Sequence, residues 1–185
     1  MLTRCKWANP KNPVYLAYHD EEWGQPCHDE QKLYEMLILE TFQAGLSWEC
    51  VLNKRQAFQK AYDGFDVNKV AAYDEQKQAQ LLDNKELIRN RLKIKASITN
   101  SAVFLQLQKE YGSFDNFIWS FTAGETLFIP YNKETTSALS DTISKFLKKR
   151  GMKFVGSTTI YSYLQAIGII NGHGEECELR RKCTI

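Results

Sequence analysis

The sequence predicts an all-α fold, and three observations carry that prediction. Apolar residues recur at helical spacing through most of the chain, capping residues and glycines punctuate those runs, and no stretch keeps the two-residue alternation of a strand. Asp29 caps a helix running through Thr41, which Leu33, Met36, Leu37, Ile38 and Leu39 make apolar on most sides. Gly45 ends that segment and Ser47 caps a second helix over 48–62. Short helices over 67–73 and 75–82 precede a long one over 91–111, which Gly112 stops. Ser113 opens a short aromatic helix, FDNFIWSF. The stretch 122–136 reads as an irregular connection, with Gly124, Pro130 and Asn132 as breakers. Ser140 caps a helix over 141–150 that Gly151 ends, and Ser157 begins the last one, over 157–170. There is no internal repeat and no low-complexity segment.

A chain of 185 residues fits one large unit or two intimate lobes, and residues 1–185 are read as a single unit. An apolar share of 43% supplies a sizeable core, and an aromatic share of 12% invites a role for the rings. With a formal net charge of only +2, any nucleic-acid site must be a local patch rather than a global field. No run of eighteen apolar residues and no signal-like start is present, so the chain reads as soluble and cytoplasmic, with no membrane partner. Five cysteines, an odd number, argue against a complete disulfide framework. In a reducing cytosol, metal binding or plain burial accounts for them better.

Cys5 and His19 lie near one end of the chain, and His173 and Cys177 near the other. Thiolate and imidazole together suit zinc, and four protein ligands leave no open coordination position, so such a site would be structural. It would close a loop spanning nearly the whole protein. Cys27, His28 and Cys183 compete as ligands, and spacing does not exclude them.

Glu40 lies near the end of the apolar helix, with Met36, Leu37 and Ala44 at helical spacing and no lysine or arginine there to pair with it. Either it sits at the solvent edge near the helix end, or it is a carboxylate on an apolar face that is protonated, paired across the fold or waiting for a ligand. Trp7, Tyr15, Tyr18 and Trp23 crowd the first part of the chain, and Trp48 follows Glu40 across a glycine-containing turn. Aromatic faces beside a carboxylate make a trap for a flat, positively charged ring. For nucleic-acid contact the basic candidates are Arg89, Arg91, Lys93 and Lys95, with Lys148, Lys149, Arg150 and Lys153; each run is also compatible with a solvated helix face.

The segments VYLAYHDEEWG, LETFQAGLSW and KKRGMKFVGSTTIYSYLQAIGIINGH resemble the type-one 3-methyladenine DNA glycosylases of bacteria, and the resemblance runs from Cys5 to Cys177. It implies a helix-hairpin-helix glycosylase fold with a structural zinc held by Cys5, His19, His173 and Cys177. It also implies that Glu40 binds the base, Tyr18 contributes a polar contact, and Trp48 stacks on the ring, with Trp7, Tyr15 and Trp23 around the pocket. The expected activity is hydrolysis of 3-methyladenine from alkylated DNA without strand cleavage, by a monomer with no protein partner. The helix-hairpin-helix turn of such proteins is usually glycine-rich, whereas LLDNKELIRNRLKIKASI contains no glycine. The family lacks the superfamily's usual water-activating aspartate; here Asp141 fits a first-turn helix role and Asp20 the orientation of His19. Other readings are a zinc-stapled module that binds damaged bases without releasing them, and a glycosylase for another alkylated base. A zinc deaminase is disfavoured, since its H-x-E and P-C-x-x-C signature is absent.

Overall fold

The computed structural model describes residues 2–129 and 134–181. Ten α-helices are present among them, with one pair of very short strands. Helix α1 (Pro13–Glu21) begins where the Asn12 side chain accepts from the N–H groups of Val14 and Tyr15, with proline in the first turn. This helix is not among those that the sequence pattern predicts. Helix α2 (Glu30–Gln43) starts at the Asp29 cap and is buried without interruption from Leu33 to Phe42. A helix with no solvent face belongs at the centre of a fold.

The single helix expected over 48–62 is two. α3 (Trp48–Leu52) and α4 (Arg55–Ala61) are separated by Asn53 and Lys54. The Asn53 side chain accepts from Asn12 and the Lys54 ammonium donates to the Glu86 carbonyl, so both residues at the break are held by other parts of the chain. α5 (Val67–Ala71) and α6 (Glu75–Asp83) lead to α7 (Arg91–Tyr111), which packs along α5, α6 and α2. α8 (Phe114–Trp119) follows from the Ser113 cap. Phe104 of α7 stacks on Phe114 at 4.0 Å between ring centroids, joining the two helices inside the core.

Helix α9 runs Ala138–Lys149, three residues earlier than the expected 141–150. Its cap is Ser137, and Ser140 is the reciprocal partner in a capping box, which also bonds Ser157. Helix α10 (Ser157–Ala166) ends four residues before the expected Ile170. Beyond it, β2 (Ile170–Asn171) pairs in parallel with β1 (Leu127–Phe128), in a stretch read from the sequence as irregular. Two-residue strands carry no alternation to detect. Pro130 and Asn132, expected as breakers, lie outside the described residues. No helix among the described residues is long and apolar enough to cross a membrane.

Gly168 makes the turn between α10 and β2 possible. Its φ is +75°, and a Cβ there would stand 2.2 Å from the backbone of Gln25. The close approach fixes the segment that follows Trp23 against α10. Gly168→Ala is therefore expected to lower unfolding free energy by about 1–3 kcal/mol, read by chemical denaturation; an unchanged midpoint would count against this packing.

Candidate functional site

Segments far apart in sequence line one cleft of about 150 Å³. α1 supplies Tyr15 and Tyr18, α2 supplies Glu40 and Gln43, and α3 supplies Trp48. Trp7 and Trp23 flank α1, while Ser162 and Gln165 close the cleft from α10. All six of the sequence-predicted pocket residues therefore share one cavity. Gln43, Ser162 and Gln165 escaped the sequence reading. The two on α10 stand three residues apart, hence on one helical face, which was the available signal.

Glu40 is 2% exposed, and its Oε2 has no hydrogen-bond partner. Burial alone pushes its carboxyl well above the usual carboxylate range; no cation among the described residues pulls it back. Glu35, one and a half turns earlier on the same helix, shows the contrast. Its carboxylate accepts from Arg55 Nε at 2.9 Å and from Gln59 Nε2 at 2.8 Å. Arg55 also reaches Glu22, at 2.7 Å. One buried carboxylate of α2 is thus fully partnered and the other is left open to the cleft.

The indole N–H of Trp48 is likewise buried without a partner. The Trp48 ring lies 5.3 Å from that of Tyr18, tilted by 53°. Burial, and then the charge of Glu40, holds the Tyr18 phenol well above its ordinary range, so it stays a neutral hydroxyl. The cleft therefore offers an acceptor, donors and aromatic faces. Such a set suits a planar, cationic heteroaromatic ring. Glu49 accepts from Asn9 and Asn12 at 2.8 Å each, and so ties the segment between Trp7 and Tyr15 to α3.

Behind the tryptophan wall, the ligand atoms of Cys5, His19, His173 and Cys177 lie within 4.8 Å of one another, and all four residues are buried. His173 Nδ1 is 3.5 Å from Cys5 Sγ and 3.3 Å from Cys177 Sγ, and His19 Nε2 is 3.8 Å from Cys177 Sγ. Each imidazole is anchored by its other nitrogen. His173 Nε2–H donates to the Trp23 carbonyl at 3.0 Å, and His19 Nδ1–H donates to Asp20 at 2.8 Å. Asp20 is held in turn by Arg4, at 2.7 and 2.8 Å. Burial lowers His173 to about 4 and pushes the Cys5 thiol up to about 12. Of the competing ligands, Cys27 is half-buried with its carbonyl taken by Trp119, and His28 pairs with Asp115 at 2.8 Å; both lie outside the cluster. Cys183 lies outside the described residues. The cluster touches the cleft wall directly: Trp7 packs edge-on to His19 at 5.0 Å, and Trp23 to His173 at 4.7 Å.

The basic candidates divide. Arg89, Arg91, Lys95, Lys148, Lys149 and Lys153 are exposed. Arg150 is half-buried and forms a bidentate pair with Glu110. Lys93 is a correction to the sequence reading. It is 5% exposed, and its ammonium donates to the carbonyls of Phe42 and Ala44, so it faces the protein and not a DNA backbone. Helical phase explains the difference, because Lys93 shares a face of α7 with the buried Ser97, Asn100 and Phe104. Asp141 accepts from the Ser157 hydroxyl at the mouth of α10, away from the cleft lining.

The sequence profile described as methyladenine glycosylase matches residues 7–181 of this chain. The chain belongs to the methyladenine glycosylase family. It is 44% identical over 184 residues to DNA-3-methyladenine glycosylase 1 of Escherichia coli (strain K12), covering 95% of this chain and 96% of that one. A crystal structure of 3-methyladenine DNA glycosylase I superposes with a TM-score of 0.91 at 42% identity, over 95% of this chain and 98% of that one. A tyrosine-to-phenylalanine variant of 3-methyladenine DNA glycosylase I, solved in complex with 3-methyladenine, gives a TM-score of 0.91 at 34% identity, over 96% and 97%. The mostly helical architecture is therefore that of the methyladenine glycosylase family.

Proposed function

We propose that this chain hydrolyses the N-glycosidic bond of 3-methyladenine in alkylated DNA, releasing the free base and leaving an abasic site. The observation that carries this reading is the buried, partnerless carboxylate of Glu40 in an aromatic cleft. The target nucleotide must leave the duplex, at a cost of a few kcal/mol. Methylation at the third ring nitrogen places positive charge on the base and weakens its bond to the sugar. Glu40 accepts a hydrogen bond from that base, Trp48 stacks on it, and Tyr18 adds a polar contact, with Trp7, Tyr15 and Trp23 excluding water. At ~4 Å and an effective dielectric near 20, the carboxylate–cation attraction is about 4 kcal/mol before desolvation. Burying Glu40 consumes part of it, so this is a ceiling. What remains favours the charged base over neutral adenine.

In the chemical step water bonds to the sugar's anomeric carbon as the carbon–nitrogen bond breaks. The bonding pair goes to the base, which leaves neutral, and the proton lost by the water passes to bulk solvent. Among the described residues no lysine lines the cleft, which supports base release without strand cleavage. The hairpin between α6 and α7 serves as the helix-hairpin-helix element, with Arg89 and Arg91 beside it and Lys149, Arg150 and Lys153 on a second patch. The enzyme acts as one unit and as a monomer, in the cytoplasm where DNA is accessible, without a protein partner.

The Cys5, His19, His173 and Cys177 cluster is proposed to hold one structural zinc. For Zn–S of about 2.3 Å and Zn–N of about 2.0–2.1 Å, tetrahedral ligands stand about 3.5 Å apart. Three sulfur–nitrogen separations, at 3.3–3.8 Å, fit that requirement, and all the ligand atoms lie within 4.8 Å of one another. Anchored in this way, the imidazoles turn His173 Nδ1 and His19 Nε2 toward the cluster, where His19 Nε2 also accepts from the Cys5 N–H at 3.3 Å, a contact that the ion would displace. When bound, the ion cross-links the chain ends and supplies no water for chemistry.

Two experiments test these readings. Base release from methylated DNA, resolved by chromatography, should yield 3-methyladenine from the wild type and fall at least tenfold in Glu40→Gln and Trp48→Ala, on the order of losing a positioned polar contact. No release from the folded wild type would favour a lesion-binding module, and release of a different base would change the substrate. Metal analysis should find about one zinc per chain, and its removal should lower Tm by several degrees. Metal-free protein of unchanged Tm would overturn the zinc assignment.

A further inference from the structure

We propose that Lys93 is a positioning residue for base excision: from α7, its ammonium holds the turn that sets Trp48 against Glu40, and it makes no DNA contact. The inference rests on the glycosylase reading above. Five residues separate Phe42 from Trp48, and Glu40 stands two before Phe42. The joint between them is where α2 ends, and a helix end leaves carbonyls without partners. α2 has no basic residue in its last turn to meet them. Ala44 has already left helical geometry, at φ −44° and ψ 113°, and Gly45 follows at φ +79°.

Lys93 supplies from another helix what α2 lacks. Its Nζ donates to the Phe42 carbonyl at 2.7 Å and to the Ala44 carbonyl at 2.6 Å, one on the helix and one beyond it. A cation at a helix C-terminus is also favoured by the helix dipole. The turn continues with Leu46 N–H donating to the Gln43 carbonyl, and Ser47 then caps α3, on which Trp48 is the first residue. Among Arg89, Arg91, Lys93 and Lys95, only Lys93 is turned inward. Asn100, on the same face of α7, does similar service for the turn after α9. It accepts from Lys153 N–H at 2.8 Å and donates to the Lys153 carbonyl at 3.0 Å. α7 thus clamps two turns from one face, and the one held by Lys93 carries the stacking residue of the cleft.

Loss of the ammonium leaves two shielded carbonyls without a donor, and the turn relaxes. Displacing a reacting geometry by about 1 Å costs on the order of a hundredfold in rate. The test compares wild type, Lys93→Met and Lys93→Arg in single-turnover release of 3-methyladenine and in the salt dependence of binding to unmodified duplex DNA. Lys93→Met should release base about ten- to a hundredfold more slowly with an unchanged salt slope, and Lys93→Arg should recover most of the rate. A slope reduced by about one in Lys93→Met would make Lys93 a phosphate contact and overturn the proposal. So would an undiminished rate. Because Lys93→Met removes a buried bond network and can fail to fold, the wild type carries a second readout. The Lys93 ammonium protons, followed by nitrogen-15 NMR, should exchange slowly and stay unshifted when DNA is added. Rapid exchange, or a shift on DNA binding, overturns the assignment whether or not the variants fold. Absence of base release by the wild type would defeat the glycosylase reading instead, and the NMR result would still decide whether Lys93 holds the turn.

Discussion

A carboxylate kept away from both water and cations is the constraint around which this protein is arranged. Glu40 occupies a helix whose every neighbouring position is buried, and its outer oxygen meets no donor. A buried polar group without a partner is a standing cost to stability. The same helix shows that the fold can satisfy a carboxylate when it needs to, since Arg55 and Gln59 enclose Glu35. The difference between the two positions is what turns an α-helical core into a site for a cationic ring. Natural proteins keep such costs where function requires them.

The aromatic wall opposite Glu40 depends on the chain ends meeting. Cys5 and His19 belong to the first strip of sequence, His173 and Cys177 to the last, and their convergence presses Trp7 and Trp23 edge-on against the two imidazoles. Trp7 also packs on Trp23 at 4.7 Å and on Tyr15 at 5.4 Å. The proposed zinc would therefore stabilise the fold and shape the cleft through the same contacts. On the far side, α7 performs the corresponding service for Trp48 through Lys93. Two remote supports thus hold the rings around one acceptor, and neither needs to touch the ligand.

Much of this was legible in the sequence. The caps Asp29, Ser47 and Ser113 mark real helix starts, because a short polar side chain before an apolar run has few other uses, and α7 begins and ends at the expected 91 and 111. Asn12–Pro13 is an equally good start signal for α1, but the nine residues of that helix carry no clear apolar stripe to mark it. The shift from Ser140 to Ser137 arose because both serines of a capping box look alike in sequence. The short strands, the break at Asn53 and the end of α10 depend on contacts with distant segments, which local pattern does not contain. Residue types could nominate Cys5, His19, His173 and Cys177, while only the fold could bring them together ahead of Cys27 and His28. A run of charges carries no helical phase, so it does not separate Lys93 from its exposed neighbours; register with Ser97 and Asn100 places Lys93 on the inner face of α7.

The most direct test of the central claim is the pH dependence of the stability difference between wild type and Glu40→Gln, from denaturant unfolding. The folded carboxyl titrates above its unfolded value of about 4.3, so its native proton contributes stability that is fully present below that pH. That contribution is lost as pH rises toward the folded pKa. The account predicts equal or lower stability for Glu40→Gln at acid pH and a growing advantage, on the order of 1 kcal/mol or more, as the pH approaches neutrality. A difference that stays flat with pH, or one favouring the wild type at neutral pH, would mean that Glu40 is already satisfied within the protein and would contradict the account.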